Sequence, residues 1–413
     1  MQVSAINPRN MEIVPMLTRL VECGGSDLCV KVGSPPLIRI DGELRALDAE
    51  DIVLRPSDSM AILHAVLPEA RLKEFETEHE VDFAYSVSGV GRFRANAYLQ
   101  RGSVSLVFRT VPYMIRSLED LGLPEVVGKL ADEERGLILV VGTTGSGKST
   151  TLAAMVEHIN DACHKHIVTI EDPIEYLHRD RKSAIDQREV GSDTASFATA
   201  LRRVMRQDPD VILIGEMRDE PTVRSALAAA ETGHLVLSTV HASDATETIN
   251  RILDFFPPAQ LQQARAMLAG TLKGIISQRL VPRAGDEGRI AITETLVMTG
   301  RVHDLILDPK RTDDLAEVIE TGGFYGMQTF DQSLYKAVQA DEVSLEDAMR
   351  YATRPHDLKL LIEAEGHLHT TMQDVTARPQ ESVPATGPES VPATGPASKT
   401  GSGTDTCWSA LTS

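Results

Sequence analysis

Residues 142–149 read GTTGSGKS, and the types and spacing in this stretch suit a chain of phosphates. Gly142, Thr143, Thr144, Gly145, Ser146 and Gly147 make a loop whose glycines let the backbone curl, so that successive N–H groups point inward at phosphate oxygens. The Lys148 ammonium then reaches the terminal phosphates, and the Ser149 hydroxyl is placed to hold Mg²⁺, with Thr150 following in the same turn. The expected ligands are ATP and Mg²⁺. Hydrolysis needs more than binding: a carboxylate must stand at the end of a neighbouring strand. Two segments supply one. Val168-Thr169-Ile170 runs into Glu171, and Val211-Ile212-Leu213-Ile214-Gly215 runs into Glu216. Glu216 is assigned as the base that orients or deprotonates water, and Glu171 as a partner of Mg²⁺ or of that water. His234 and His241 flank the run Leu235 to Thr239. As neutral imidazoles they either report the γ-phosphate to the rest of the protein or act as structural hydrogen-bonders.

These residues need elements to hold them. The apolar run Leu137 to Val141 reads as a buried strand that breaks at Gly142. Leu152, Met155, Val156 and Ile159 recur at helical spacing behind the loop, so a helix starts there and its N-terminus favours an anion. From Gly136 onward strands alternate with helices, which implies a parallel sheet. The expected strands are Leu137 to Val141, His166 to Ile170, Asp210 to Ile214 and Leu235 to Thr239. The expected helices include about Phe197 to Arg206, Pro221 to Thr232 and one long helix, Pro258 to Gln278, with Leu261, Ala264, Leu268, Leu272 and Ile275 on one stripe. In such a sheet ligands sit at the carboxyl ends of the strands, where both glutamates fall. Residues 300–362 read as mostly helical.

The N-terminal third has a different grain. A helix is expected from about Met11 to Glu22, then short strands at Leu28 to Val32 and Leu37 to Ile40, and a helix near Ser57 to Leu67 with Ser57 as its cap. Arg92 to Leu99 and Val104 to Arg109 alternate as strands. A turn at Arg101-Gly102 sets residue 94 opposite residue 109. Like charges so placed repel unless an anion or acidic group lies between them. Arg94 and Arg109 are therefore either phosphate ligands, reaching a nucleotide on another subunit, or two solvated arginines.

The chain has 413 residues, 42% of them hydrophobic, and a net charge of −19. That acidic balance argues against a nucleic-acid partner, since phosphate neutralisation needs a basic surface. Cys23, Cys29, Cys163 and Cys407 form no C-x-x-C pair, which fits a reducing cytosol and suggests neither zinc nor disulfides. No apolar run approaches the roughly 18 residues of a membrane span. From about Gly366 to Ser413 the composition turns to Pro, Thr, Ser and Gly, and ESVPATGP occurs twice in tandem at 381–396. This stretch, with the sole tryptophan Trp408, is read as disordered.

Several longer runs resemble a known family. TIEDPIEY (169–176), DQREVGSDTASFATALR (186–202), QDPDVILIGEMRD (207–219) and AETGHLVLSTVHA (230–242) are similar to the type II/IV secretion ATPase superfamily. GGSDLCVKVGSPPLIRIDGEL (24–44), GRFRANAYLQRG (91–102) and GMQTFDQSL (326–334) add to the likeness, within the group of type IV pilus retraction ATPases. The resemblance implies an α/β protein: a PAS-like α+β domain over 1–111, a linker over 112–135, and a RecA-like P-loop ATPase domain with a mainly parallel sheet over 136–365. The disordered tail then takes 366–413. It implies a hexamer that hydrolyses ATP and disassembles a pilus. Its partners would be an inner-membrane platform protein and other pilus ATPases, and it would sit on the cytoplasmic face of the membrane without inserting. It carries the catalytic role onto Glu216, nucleotide contacts onto Arg94 and Arg109, and a further contact onto Arg279 in SQRL. The family's retraction signature appears only as RVHDLI (301–306), and DLKLLI (357–362) leans towards an accessory motor. Assembly or secretion ATPases of the superfamily usually add a four-cysteine motif, which this chain lacks.

Overall fold

The computed structural model of the chain describes residues 12–47, 53–285 and 288–364. The repeat-bearing tail and Trp408 lie outside the described residues. The N-terminal region is built on one antiparallel sheet. Its strands are β1 (Asp27–Lys31), β2 (Leu37–Ile40), β3 (Glu43–Ala46), β4 (Glu80–Val87), β5 (Gly91–Gln100) and β6 (Ser103–Thr110), in the order β3-β2-β1-β6-β5-β4. Along β5, Phe93, Ala95 and Ala97 are buried while Arg92, Arg94, Asn96 and Tyr98 are half-buried, the alternation of a strand with one face on a core. That core includes Met16, Leu17 and Leu20 from the helix Ile13–Glu22 and Ile62, Leu63 and Val66 from the helix Pro56–Val66. Ser57 does not cap this second helix. Pro56 opens it, its φ already suited to a first helical turn, and the Asp58 carboxylate accepts the Arg55 N–H at 2.7 Å. Arg101 and Gly102 both take left-handed φ, 52° and 74°. This is the two-residue turn whose twist matches a hairpin, and it sets Arg94 directly opposite Arg109.

The second sheet has seven strands: β7 (Gly136–Val141), β8 (His166–Glu171), β9 (Ala184–Glu189), β10 (Val211–Ile214), β11 (Leu235–Val240), β12 (Leu272–Pro282) and β13 (Arg289–Val297). Their order is β13-β12-β7-β11-β10-β8-β9. All neighbours run parallel except β12 and β13. Every residue of β7, β10 and β11 is buried, as expected for parallel strands covered on both faces. Leu137, Leu139 and Val141 of β7 face one core, shared with the helices Glu220–Glu231 and Ala245–Asp254. Ile138 and Val140 face the other, with Leu152, Met155, Val156 and Ile159 of the helix Lys148–Ala162.

One further expectation changes. The stripe from Pro258 to Gln278 is not one helix: a helix spans Leu261–Thr271, and the chain then turns extended at Leu272 to become β12. Gly274 shows why. A β-carbon there would come 2.6 Å from Leu130 and 3.0 Å from the Leu296 carbonyl oxygen, so the strand passes closer to its neighbours than a side chain allows. The expected linker 112–135 carries the short helix Glu125–Ala131, whose Val127, Leu130 and Ala131 belong to the second core. Leu237, wholly buried in mid-sheet, tests that core. Leu237→Ala should cost about 2–5 kcal/mol of unfolding free energy in denaturant titration, and a loss below 1 kcal/mol would show that this layer is not tightly packed.

Candidate functional site

The loop between β7 and the helix Lys148–Ala162 is shaped by its glycines. Gly142, Gly145 and Gly147 take φ of 148°, 79° and 91°. A β-carbon on Gly142 would lie 2.4 Å from the Gln278 carbonyl oxygen and 2.5 Å from Ser146 Oγ; one on Gly147 would lie 2.9 Å from Gln278 Nε2. Gln278 of β12 is thus the wall of the cradle, and its Oε1 accepts a hydrogen bond from Thr151 Oγ1 at 2.8 Å. Ser146 Oγ is buried without a protein partner. Lys148 Nζ donates to the carbonyl oxygens of Gly142 and Thr143 at 2.9 and 3.0 Å, across the mouth of the loop. Burial pulls its pKa down, against the pull of Glu216 and Glu175 the other way.

The loop opens into a cavity of about 620 Å³ at the carboxyl ends of the parallel strands, lined also by Glu171, Glu175, Tyr176, Glu216, Arg218 and His241. Glu171 ends β8, and its carboxylate accepts from Thr169 Oγ1 at 2.7 Å, Gln187 Nε2 at 3.2 Å and the Glu175 N–H at 3.4 Å. Burial raises its pKa more than these donors lower it. Glu216 stands just beyond β10, with one oxygen 2.7 Å from Arg218 and the other 3.2 Å from His241 Nε2. The hydroxyl of Ser149 and the carboxylate of Glu171 line the same cavity, and oxygen donors of this kind suit Mg²⁺.

Other expected contacts are not brought together. His234 immediately precedes β11, at the opposite end of the sheet from the loop, since its carbonyl accepts the Gly136 N–H at the start of β7. Its Nδ1 lies 3.0 Å from the Ala229 carbonyl, so within the chain it is a structural hydrogen-bonder. Arg279 points away from the cavity. It stacks over the Phe330 ring at 3.8 Å and donates to the Tyr351 carbonyl at 3.0 Å. The strand alternation explains this: Gln278 faces the loop, so Arg279 faces the C-terminal helices. Arg94 reaches the cavity rim through Glu175 at 3.2 Å, and Arg109, 68% exposed, pairs with Asp27 at 2.8 Å. Each arginine thus has its own carboxylate, and their repulsion is met without an anion.

Gln278, Tyr176 and Arg218 also belong to the site, and their signal in the sequence is only that each lies in or beside one of the runs above. Tyr176 OH is 2.8 Å from Thr150 Oγ1. Glu294 of β13 carries no such signal. That buried carboxylate accepts the Ala245 N–H, first residue of the helix after His241, at 2.9 Å, and Ser277 Oγ at 3.3 Å. Burial pushes its pKa from 4.5 up to about 7. A raised folded-state value means stability that is fully present below pH 4.5 and lost as pH rises through about 7. The loss should be on the order of 3 kcal/mol. Glu294→Gln keeps the acceptor and removes the titration, so its melting temperature should vary less than wild type's across that window; parallel pH curves would rule the assignment out. At the loop, Gly142→Ala should weaken ADP binding by at least about tenfold in calorimetry, from clash and backbone strain. Unchanged affinity would mean that the Gln278 wall gives way.

The model of the family described as "Type II/IV secretion system protein" matches residues 101–350. The type IV pilus retraction ATPase PilT of Pseudomonas aeruginosa is 43% identical over 347 residues, covering 84% of this chain and 100% of that one. The type IV pilus ATPase PilU of the same organism is 40% identical over 380 residues, covering 91% and 99%. A crystal structure of the pilus retraction motor PilT with bound ADP matches with a TM-score of 0.77 at 44% identity, over 85% of this chain and 99% of that one. Similar along almost the full length of both relatives, this chain belongs to the type II/IV secretion system protein family, in the group that contains PilT and PilU.

Proposed function

We propose that this protein is an ATP-hydrolysing motor that powers retraction of type IV pili. The observation that carries the reading is the single cavity in which the phosphate loop meets Glu171 and Glu216 at the ends of parallel strands, in a chain 43% identical to PilT. The loop amides and Lys148 hold the phosphates, Lys148 leaving the Gly142 and Thr143 carbonyls to do so. Ser149, with Glu171 directly or through water, holds Mg²⁺, which would neutralise phosphate charge. Glu216 orients the attacking water and takes its proton. Arg218 and His241 fix the two carboxylate oxygens, each of which keeps a lone pair for water. The antiparallel sheet is a PAS-like domain and the seven-stranded sheet a RecA-like domain. They work as a hexamer against an inner-membrane platform protein, on the cytoplasmic side and without crossing the bilayer; among the described residues no helix is long and apolar enough to cross. Arg94 and Arg109 then complete a nucleotide site by exchanging their carboxylates for phosphates. A second reading, an accessory motor working beside another ATPase, is favoured by the longer match to PilU, 91% of the chain against 84% for PilT.

Purified Lys148→Ala should lose nucleotide binding or turnover, and Glu216→Gln should retain ATP while phosphate release falls by about 100-fold or more. Normal turnover in either would remove that residue's role. In a strain lacking the protein, surplus pili that do not retract are expected. Near-normal piliation with weakened retraction would select the accessory reading, and bald cells would make it an assembly motor instead.

A further inference from the structure

The segment 172–183 joins β8 to β9 without helix or strand, yet side chains on both sides hold it. Thr150 and Glu157 stand seven residues apart on one face of the helix behind the phosphate loop. Thr150 Oγ1 meets Tyr176 OH at 2.8 Å, and Glu157 Oε1 meets His178 Nδ1 at 2.8 Å. The His178 side chain is only 3% exposed. On the other side lies Gln187 of β9, whose amide is used at both ends. Its Oε1 accepts the His178 N–H at 2.9 Å, and its Nε2 donates to the Tyr176 carbonyl at 2.9 Å and to Glu171 Oε1 at 3.2 Å. One side chain therefore links the carboxylate in the cavity to the segment that the loop helix grips. The segment's own N–H groups close the frame: Glu175 N–H goes to Glu171 Oε2 at 3.4 Å, and Ile174 N–H to Glu189 Oε2 at 3.1 Å.

We propose that residues 172–178 are a strap that aims the Glu171 carboxylate into the nucleotide cavity, with His178 and Gln187 as its positioning residues. This rests on the reading above that Glu171 serves hydrolysis. A glutamate carboxylate, three rotatable bonds from the backbone, loses its aim when its outer partners go, and such losses typically cost about 10–100-fold in activity. The loop amides and Lys148 do not depend on Gln187 or on the His178 ring, so affinity for the nucleotide is spared.

The test compares wild type, Glu171→Gln, His178→Ala and Gln187→Ala in the full-length protein. Both alanine variants should lose about tenfold in kcat with KM for ATP within about twofold of wild type. In nucleotide-free protein, hydrogen–deuterium exchange should quicken at the amides of Ile174, Glu175 and His178, with the interior of the loop helix unchanged. His178→Asn places a donor where Nδ1 stood, and should recover most of kcat and the protection even if His178→Ala folds poorly. Quickened exchange with undiminished kcat would overturn the strap's role, as would a kcat loss that His178→Asn does not relieve. A slow Glu171→Gln beside a fully active Gln187→Ala would overturn this inference alone. A fully active Glu171→Gln would remove the role of Glu171 and the inference with it.

Discussion

The molecule depends on the register of four parallel strands. β7, β11, β10 and β8 pair in step, Val141 beside Val240 and Ile214 beside Ser238 and Ile170. The residue after each apolar run therefore emerges at the same edge. A slip of one residue in any strand would turn its buried side chains to the wrong core and would move Gly142, Glu171 or Glu216 out of the shared cavity. Burial on both faces enforces this register. Leu139, Ile170 and Ile214 lie in one core and Ile138, Ile167 and Leu213 in the other.

At that edge the site has two kinds of part. The phosphate loop is mainly backbone, held in shape by φ values open to glycine and by Gln278 behind it. The acidic residues are side chains whose aim depends on hydrogen bonds. Glu171 has three donors and Glu216 has Arg218 and His241. Lys148 bridges the two kinds, since its ammonium is bound to loop carbonyls and lies within the fields of Glu216 and Glu175.

Much of this could be read from the residues. The loop, the strand before it and the helix after it are local in sequence, as is the position of each glutamate beyond an apolar run. The opposition of Arg94 and Arg109 followed from period-2 alternation and a turn, and the register agrees. What was not legible depends on long-range pairing. Leu272 and Ile275 continue a helical stripe by spacing alone, yet they pair with β7, and only Gly274 marks the change. With β12 read as a helix, the alternation that turns Gln278 towards the loop and Arg279 towards the C-terminal helices is not visible. His234 and His241 flank one strand in the sequence and stand at its two ends in the fold, so only His241 lines the cavity. β9 and β13 carry charged and polar residues among apolar ones, a weak strand signal that the sheet overrides.

The wall behind Gly142 also has a bearing on how the protein is made. β7 emerges from the ribosome with neither of its neighbours, because β11 and β12 follow it along the chain. The antiparallel sheet, by contrast, has all its strands once β6 is complete. Vectorial synthesis therefore separates the two halves in time. The first has all its pairing strands before β7 is made, while the apolar β7 must wait for Leu272–Pro282 before it has partners on both edges. During that interval the nascent chain has the phosphate-loop sequence without its Gln278 wall, so the cradle is complete only once β12 has been translated.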